Sequence, residues 1–300
     1  CRWCAGATGR LIGFADKDRT GIMQAGAVRG YVNRFAATPA DRVAIFTNND
    51  DGHRTATDLA AAGVDVAAII DSRPDAPRSD AAELFAGAVV TGTSGRLGLG
   101  GVSIHLANGG HKHLHCGALA VSGGWNPNVH LTCHHRGRPV WKDEIAAFVP
   151  GEGVPPGMSV AGAARGIFST AGAFADGEAQ AIAQLDEIGI KAATSKLPDS
   201  EDAPFGIAPL WHVPGKKRAW LDQQNDVTVK DVKLAHQENF RAVEHLKRYT
   251  TLGMAGDQGR TSNVLGLAVM AELTGKTIAE TGTTIYRPPY SPTPIAAFAG

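Results

Sequence analysis

Across 300 residues, Lys plus Arg and Asp plus Glu balance at 29 each, so the formal charge is zero. That balance argues against nucleic acid or an anionic membrane as the partner. No apolar run approaches the ~20 residues that a membrane span needs. Four cysteines in so long a chain form no disulfide framework, which points to a reducing, cytoplasmic setting. Glycine is abundant at 37 residues, which suits tight turns and close backbone approach to ligands.

The chain opens CRWCAGATGR without an initiator Met, and it is expected to be a fragment of a longer polypeptide. Cys1-x-x-Cys4 has no second pair at metal-binding spacing, so no metal is assigned to it. Residues 20–35 carry a helical period. The clearest unit runs from Arg42 to Asp71. Val43 to Thr47 predicts a strand, Asn48 to Gly52 a turn and the stretch to Ala62 a helix closed by Gly63, with a second strand to Ile70. This is a βαβ pattern and implies a parallel sheet. Asp71 stands where a ribose-binding acid belongs, yet Thr47 to Gly52 holds one glycine where a dinucleotide fingerprint has three. Arg73, in the following loop, reads as exposed.

Further strands are expected at Ala86 to Thr91, Val102 to Leu106 and Ala118 to Ser122, with Gly95 to Gly101 as a connecting turn. His105, His111, His113, His115, Cys116, His130, Cys133, His134 and His135 crowd one region with ligands that zinc prefers. Their spacing matches no zinc motif, so His111 to His115 is read as a strand edge with half-exposed imidazoles. Trp125-Asn126-Pro127 reads as a turn. Val160 to Thr170 is rich in small residues and leads into a helix. Either phosphate contact at that helix start or close helix–sheet packing accounts for it. A helix over 178–188, a linker-like stretch over 198–209 and a helical unit over about 210–276 complete the reading. Within that unit Thr228 and Asp231 form a capping box, and Gly275 stops the last helix.

Asp222-Gln223-Gln224-Asn225-Asp226-Val227-Thr228 and Gly253-Met254-Ala255-Gly256-Asp257-Gln258-Gly259-Arg260-Thr261-Ser262 resemble the two halves of the [2Fe–2S] module of bacterioferritin-associated ferredoxins. Asp222, Gln224, Asp257 and Ser262 fall on the four cysteine positions. None is a thiolate, which implies a module with no iron–sulfur cluster. The cysteine-free version, with the strings IFTNNDDGHRTATDLAAAGVDVAAIIDSRP, AVSGGWNPNVHL, AFVPG with AGAARGIFS, and GTTIYRPPY, resembles the large subunits of heterotetrameric sarcosine oxidases.

The resemblance implies an α/β fold with a two-part Rossmann-like region like that of the disulfide reductases, followed by the helical module. Residues 1–41 would end the first half of an NAD-binding domain and 42–142 form an inserted second Rossmann-like domain. Residues 143–204 would return to the first, 205–280 form the module, and 281–300 lead to a folate domain. Ala163, Phe168 and Thr170 would approach NAD, with Gly162 and Gly166 giving room, and no residue here would be catalytic. The implied enzyme oxidatively demethylates sarcosine. It uses FAD and FMN with a partner beta subunit, tetrahydrofolate in a C-terminal domain, and further gamma and delta subunits. Other readings are another secondary-amine dehydrogenase such as one for N-methylglutamate, a stand-alone flavin reductase, or a non-catalytic assembly subunit.

Overall fold

A computed structural model describes residues 2–3, 6–200, 202–203, 205–287 and 293–299. Cys1 and Cys4, and the Pro288 to Tyr290 end of the last string, lie outside the described residues.

The strands Ile22–Gln24, Ala118–Ser122, Arg42–Thr47, Asp65–Asp71 and Leu84–Ala86 form one parallel sheet, in that spatial order. Two helices, α1 (Ala25–Phe35) and α2 (Asp50–Ala61), link its early strands. Strand alternation sorts the apolar residues between the two faces. Val43 and Ile45 meet Val28, Ala56 and Leu59 on the helix side, while Ala44 and Phe46 join Val90, Val102 and Ile104 on the other. That second side is covered by an antiparallel meander of Val89–Ser94, Gly101–His105 and His111–His115. Fully burying each of the larger side chains among these (Val, Ile, Leu and Phe) is worth about 1.5–3 kcal/mol relative to leaving it exposed.

The α/β class and the Rossmann-like sheet agree with expectation, but its extent differs. Residues 22–24, read as helical, are an edge strand of this sheet, so the unit reaches back before position 42. Three residues are too few to show a period of two. Trp125–Pro127 is not a free turn but a strand paired with Ala7–Gly9. The hairpin of Val140–Lys142 with Ala147–Val149 straddles the expected boundary at 142.

The helix expected in two pieces is one element, α3 (Thr170–Glu187). The C-terminal module holds α4 (Val229–Gln237), α5 (Val243–Thr250), α6 (Asn263–Thr274) and α7 (Ile278–Thr281) around Leu221, Val232, Leu246 and Leu265. It is not entirely helical, since Trp220–Asp222 pairs with Val227–Thr228 in a short hairpin. The Thr228–Asp231 capping box is present, and Gly275 ends α6 at φ 65°.

Candidate functional site

Ligands in open α/β sheets bind outside the carboxyl ends of the strands. Here the Arg42–Thr47 and Asp65–Asp71 strands and the 118–122 strand all end at one cavity of about 690 Å³. Arg29, Arg54, Asp75, Trp125, Ala163, Phe168 and Phe205 are among its lining residues. The Phe168 and Phe205 rings meet edge to face, with centroids 5.0 Å apart.

The Thr47–Gly52 turn keeps one part of a dinucleotide fingerprint and loses the rest. A Cβ on Gly52 would stand 2.3 Å from Thr47 Oγ1, so close helix–strand packing requires a glycine there. The phosphate-facing positions are used internally. Asn49 Oδ1 accepts from the Asp51 N–H as the cap of α2, and its amide donates to the Ser122 carbonyl. Asp50 and Asp51 then add negative charge at the helix end that would have to receive a phosphate.

Asp71 is equally committed. It is fully buried, 2.7 Å from His53 Nε2 and 2.8 Å from Arg73 Nη2, so no ribose reaches it. Burial pushes this carboxyl up, but the hydrogen bonds from His53 and Arg73 outweigh that and hold it below the usual carboxylate range. Arg73, expected to be exposed, is buried and also donates to Asp50 at 2.7 Å. The nearby Gly206 N–H donates to Asp50, and the Gly206 carbonyl accepts from Arg73. The stretch read as a linker is therefore packed against the cavity wall at this point.

These contacts leave the cavity's cations unequal. Arg29 pairs with Asp51 at 3.1 Å and Arg73 with Asp50, whereas Arg54 is exposed and makes no salt bridge among the described residues. Exposed Asp75 adds an acceptor. An apolar wall with aromatic rings, one free guanidinium and one free carboxylate fits a ligand that combines flat rings, ribose hydroxyls and phosphate. The fit is to the cavity and not to the Thr47–Gly52 turn.

Of the site residues expected from sequence, Ala163 and Phe168 line this cavity and Gly162, Gly166 and Thr170 do not. The Gly162 N–H donates to Asp176 at 2.8 Å. Gly166 sits at φ 87° with no room for a Cβ beside Ile145 and Val149. Thr170 begins α3, whose cap is the Ser169 hydroxyl accepting from the Gly172 N–H. Sequence reading missed Trp125, Phe205, Arg29 and Arg54, which come from four separate segments and share no motif.

In the module, the places matched to cysteines are filled by hydrogen bonds. Asp222, 3 % exposed, accepts from the Gly253, Gln224 and Asn225 N–H groups and from the Ser262 hydroxyl at 3.2 Å. Asp257 accepts from Gly259 and Thr261. Lys17 of the α/β unit lies close enough to feel Asp222, and its ammonium is wholly buried with no hydrogen-bond partner among the described residues. Burial lowers its pKa to about 8, with Asp222 opposing the shift.

An unpartnered buried ammonium is costly, so Lys17→Met is expected to stabilise the chain at pH 7 by about 1–3 kcal/mol. Below pH 8 both states of the parent are protonated and the burial cost is complete. Between 8 and 10.5 the unfolded chain binds more protons than the folded one, so parental stability rises with pH and the gap closes. Urea unfolding at pH 7, 9 and 10.5 reads this, and a parent more stable than Lys17→Met at pH 7 would refute it.

The imidazoles of the meander are a strand edge. His105 faces His111 across the ladder with ring centroids 4.9 Å apart, and His111, His113 and His115 are exposed. Among the described residues, no three His, Cys, Asp or Glu side chains gather as a metal site.

The Sarcosine oxidase A3 domain family matches residues 216–300, which covers the module. Sarcosine oxidase subunit alpha of Rhizobium meliloti (strain 1021) is 43% identical over 302 residues, spanning 98% of this chain and 30% of that protein. The subunit of the same name from Corynebacterium sp. (strain P-1) is 36% identical over 318 residues, with 98% and 33% covered. The chain is a homologue of sarcosine oxidase subunit alpha. It spans about a third of the length of these alpha-subunit relatives. The crystal structure of L-proline dehydrogenase from P. horikoshii superposes with a TM-score of 0.75 at 18% identity, covering 100% of this chain and 58% of that one. That likeness extends the shared fold to both the α/β region and the module. No helix among the described residues is long and apolar enough to cross a membrane.

Proposed function

We propose that this chain is the NAD-holding part of the large subunit of a multi-subunit flavoenzyme that oxidatively demethylates sarcosine. Sarcosine, oxygen and tetrahydrofolate would yield glycine, hydrogen peroxide and methylene-tetrahydrofolate. On this reading FAD and FMN sit with the partner beta subunit and tetrahydrofolate with a separate domain, while gamma and delta subunits complete a cytoplasmic heterotetramer. The observation that carries the NAD assignment is the cavity at the strand ends, where Ala163 and Phe168 meet Trp125, Phe205 and Arg54. NAD, when bound, supplies a nicotinamide ring able to exchange a hydride. Phe168 and Phe205 offer flat apolar surface for a ring, Arg54 a charge for phosphate, and Asp75 an acceptor for ribose hydroxyls. The residues expected from the resemblance that do not line the cavity (Gly162, Gly166 and Thr170) would act only by shaping the backbone that leads into α3.

Isothermal titration of the 300-residue chain with NAD tests the assignment. Phe168→Ala and Arg54→Ala are each expected to weaken NAD by about tenfold, the equivalent of one good contact. NAD affinity untouched by both substitutions would defeat the placement. Sarcosine and oxygen added to this chain alone are expected to give no peroxide, because amine oxidation is assigned to the partner. Sustained peroxide would move the chemistry back into these residues.

A further inference from the structure

A second concave site, independent of the NAD reading, lies on the helical module. It is a cleft of about 270 Å³ whose walls include Glu244, Lys247 and Arg248 on α5, Met254 in the following loop, and Ile285 and Arg287 beyond α7. Arg248 pairs with Glu244 at 3.2 Å, one helical turn away. Lys247 and Arg287 make no salt bridge among the described residues.

Basic residues in the last turn of a helix complement its negative end, and that accounts for Lys247 and Arg248. It does not account for Arg287, which a separate segment brings against them. Like charges gathered around one concavity raise the local potential until an anion joins them. Lys247 registers this environment. Burial lowers its pKa first, Glu244 opposes, and Arg287 and Arg248 depress it further. Beside the charges lie apolar groups that a protein covers when it can, with Met254 57% and Ile285 36% exposed.

We propose that this cleft binds a small dianion, a phosphate monoester or a dicarboxylate, recognised by Lys247 and Arg287 with Met254 and Ile285 against its carbon portion. The planar guanidinium of Arg287 can meet phosphate or carboxylate through two parallel N–H donors, and Lys247 adds a point charge.

Calorimetric titration of the 300-residue chain with inorganic phosphate, and separately with succinate, tests this at ionic strength held constant with chloride. Saturable binding of either dianion supports the site, and which of the two binds separates the phosphate source from the dicarboxylate source. The double variant Lys247→Gln/Arg287→Gln should lose at least about tenfold in affinity, as two charge-assisted contacts imply. Lys216→Gln, elsewhere on the surface, should bind like the parent. Lys247→Arg keeps the charge and should keep the binding, and thermal melts confirm that each variant is folded. Heats that chloride reproduces, binding unchanged in the folded double variant, or saturable binding of a glutamate-rich peptide but of neither dianion would each overturn the proposal.

Discussion

Asp71→Ala is expected to destabilise the chain by about 3–5 kcal/mol, because it strands the buried Arg73 and His53 side chains that converge on this carboxylate. Against a total of about 5–15 kcal/mol for a folded domain, that is a large fraction. Arg73 keeps Asp50 at 2.7 Å, so the lower half of the range is the firmer expectation. Urea unfolding at pH 7 measures it, with Asp58→Ala as the control. Asp58 is a partly exposed partner of Arg29 at 3.5 Å, and its loss should cost no more than about 1 kcal/mol. Equal midpoints for the two variants would rule out the clamp. The pH dependence has a definite sign. Asp71 has its folded pKa below its unfolded value, so its contribution is complete above the unfolded carboxylate range and disappears as pH falls through the folded value. The parent should therefore lose stability toward Asp71→Ala only in acid.

Acidification is expected to act first at His130, on the joint between the α/β unit and the module. Arg260 of the module donates through Nε to His130 Nε2 at 3.0 Å, and Asn126 donates to the Arg260 carbonyl at 2.9 Å. A neutral imidazole accepts that bond, whereas an imidazolium would confront a guanidinium. Burial, reinforced by Arg260, lowers the His130 pKa from 6.5 to about 3. A folded pKa depressed in this way gives stability that is complete above pH 6.5 and is lost as pH falls toward 3. If fully realised, the loss is on the order of 3–5 kcal/mol, from 1.36 kcal/mol for each pH unit of the window. Denaturant unfolding at half-unit steps from pH 7 to 4 reads the slope. His130→Gln retains an acceptor and removes the titration, so its profile should be flat where the parent falls. Parallel profiles for parent and His130→Gln would eliminate this latch.

Local chemistry made several elements legible in advance. Short continuous apolar runs with β-branched residues marked the strands around Val43, Val66 and Val121, and the meander's Gly95–Gly101 connection followed from its glycines. The Thr228–Asp231 box and Gly275 marked the ends of helices because capping involves residues only a few positions apart. The vacated cysteine positions were equally plain, since a thiolate is either present in the chain or absent. The sequence alone determined the βαβ unit, the class of the sheet and the lack of sulfur ligands at Asp222, Gln224, Asp257 and Ser262.

Tertiary structure decided what those residues touch. Ile22–Gln24 became a strand only because the 118–122 strand lies beside it to accept its hydrogen bonds. Asp71 looks like a ribose-binding acid in sequence and Arg73 like an exposed loop residue, yet they satisfy each other and His53 in the interior. Lys17 is drawn into the joint beside Asp222 from more than two hundred positions away, and Trp125, Phe205 and Arg54 reach one cavity from a strand, a loop and a helix. Periodicity and capping depend on neighbours within about one turn of chain, whereas burial, ion pairing and cavity walls depend on which distant segments the packed sheet brings together.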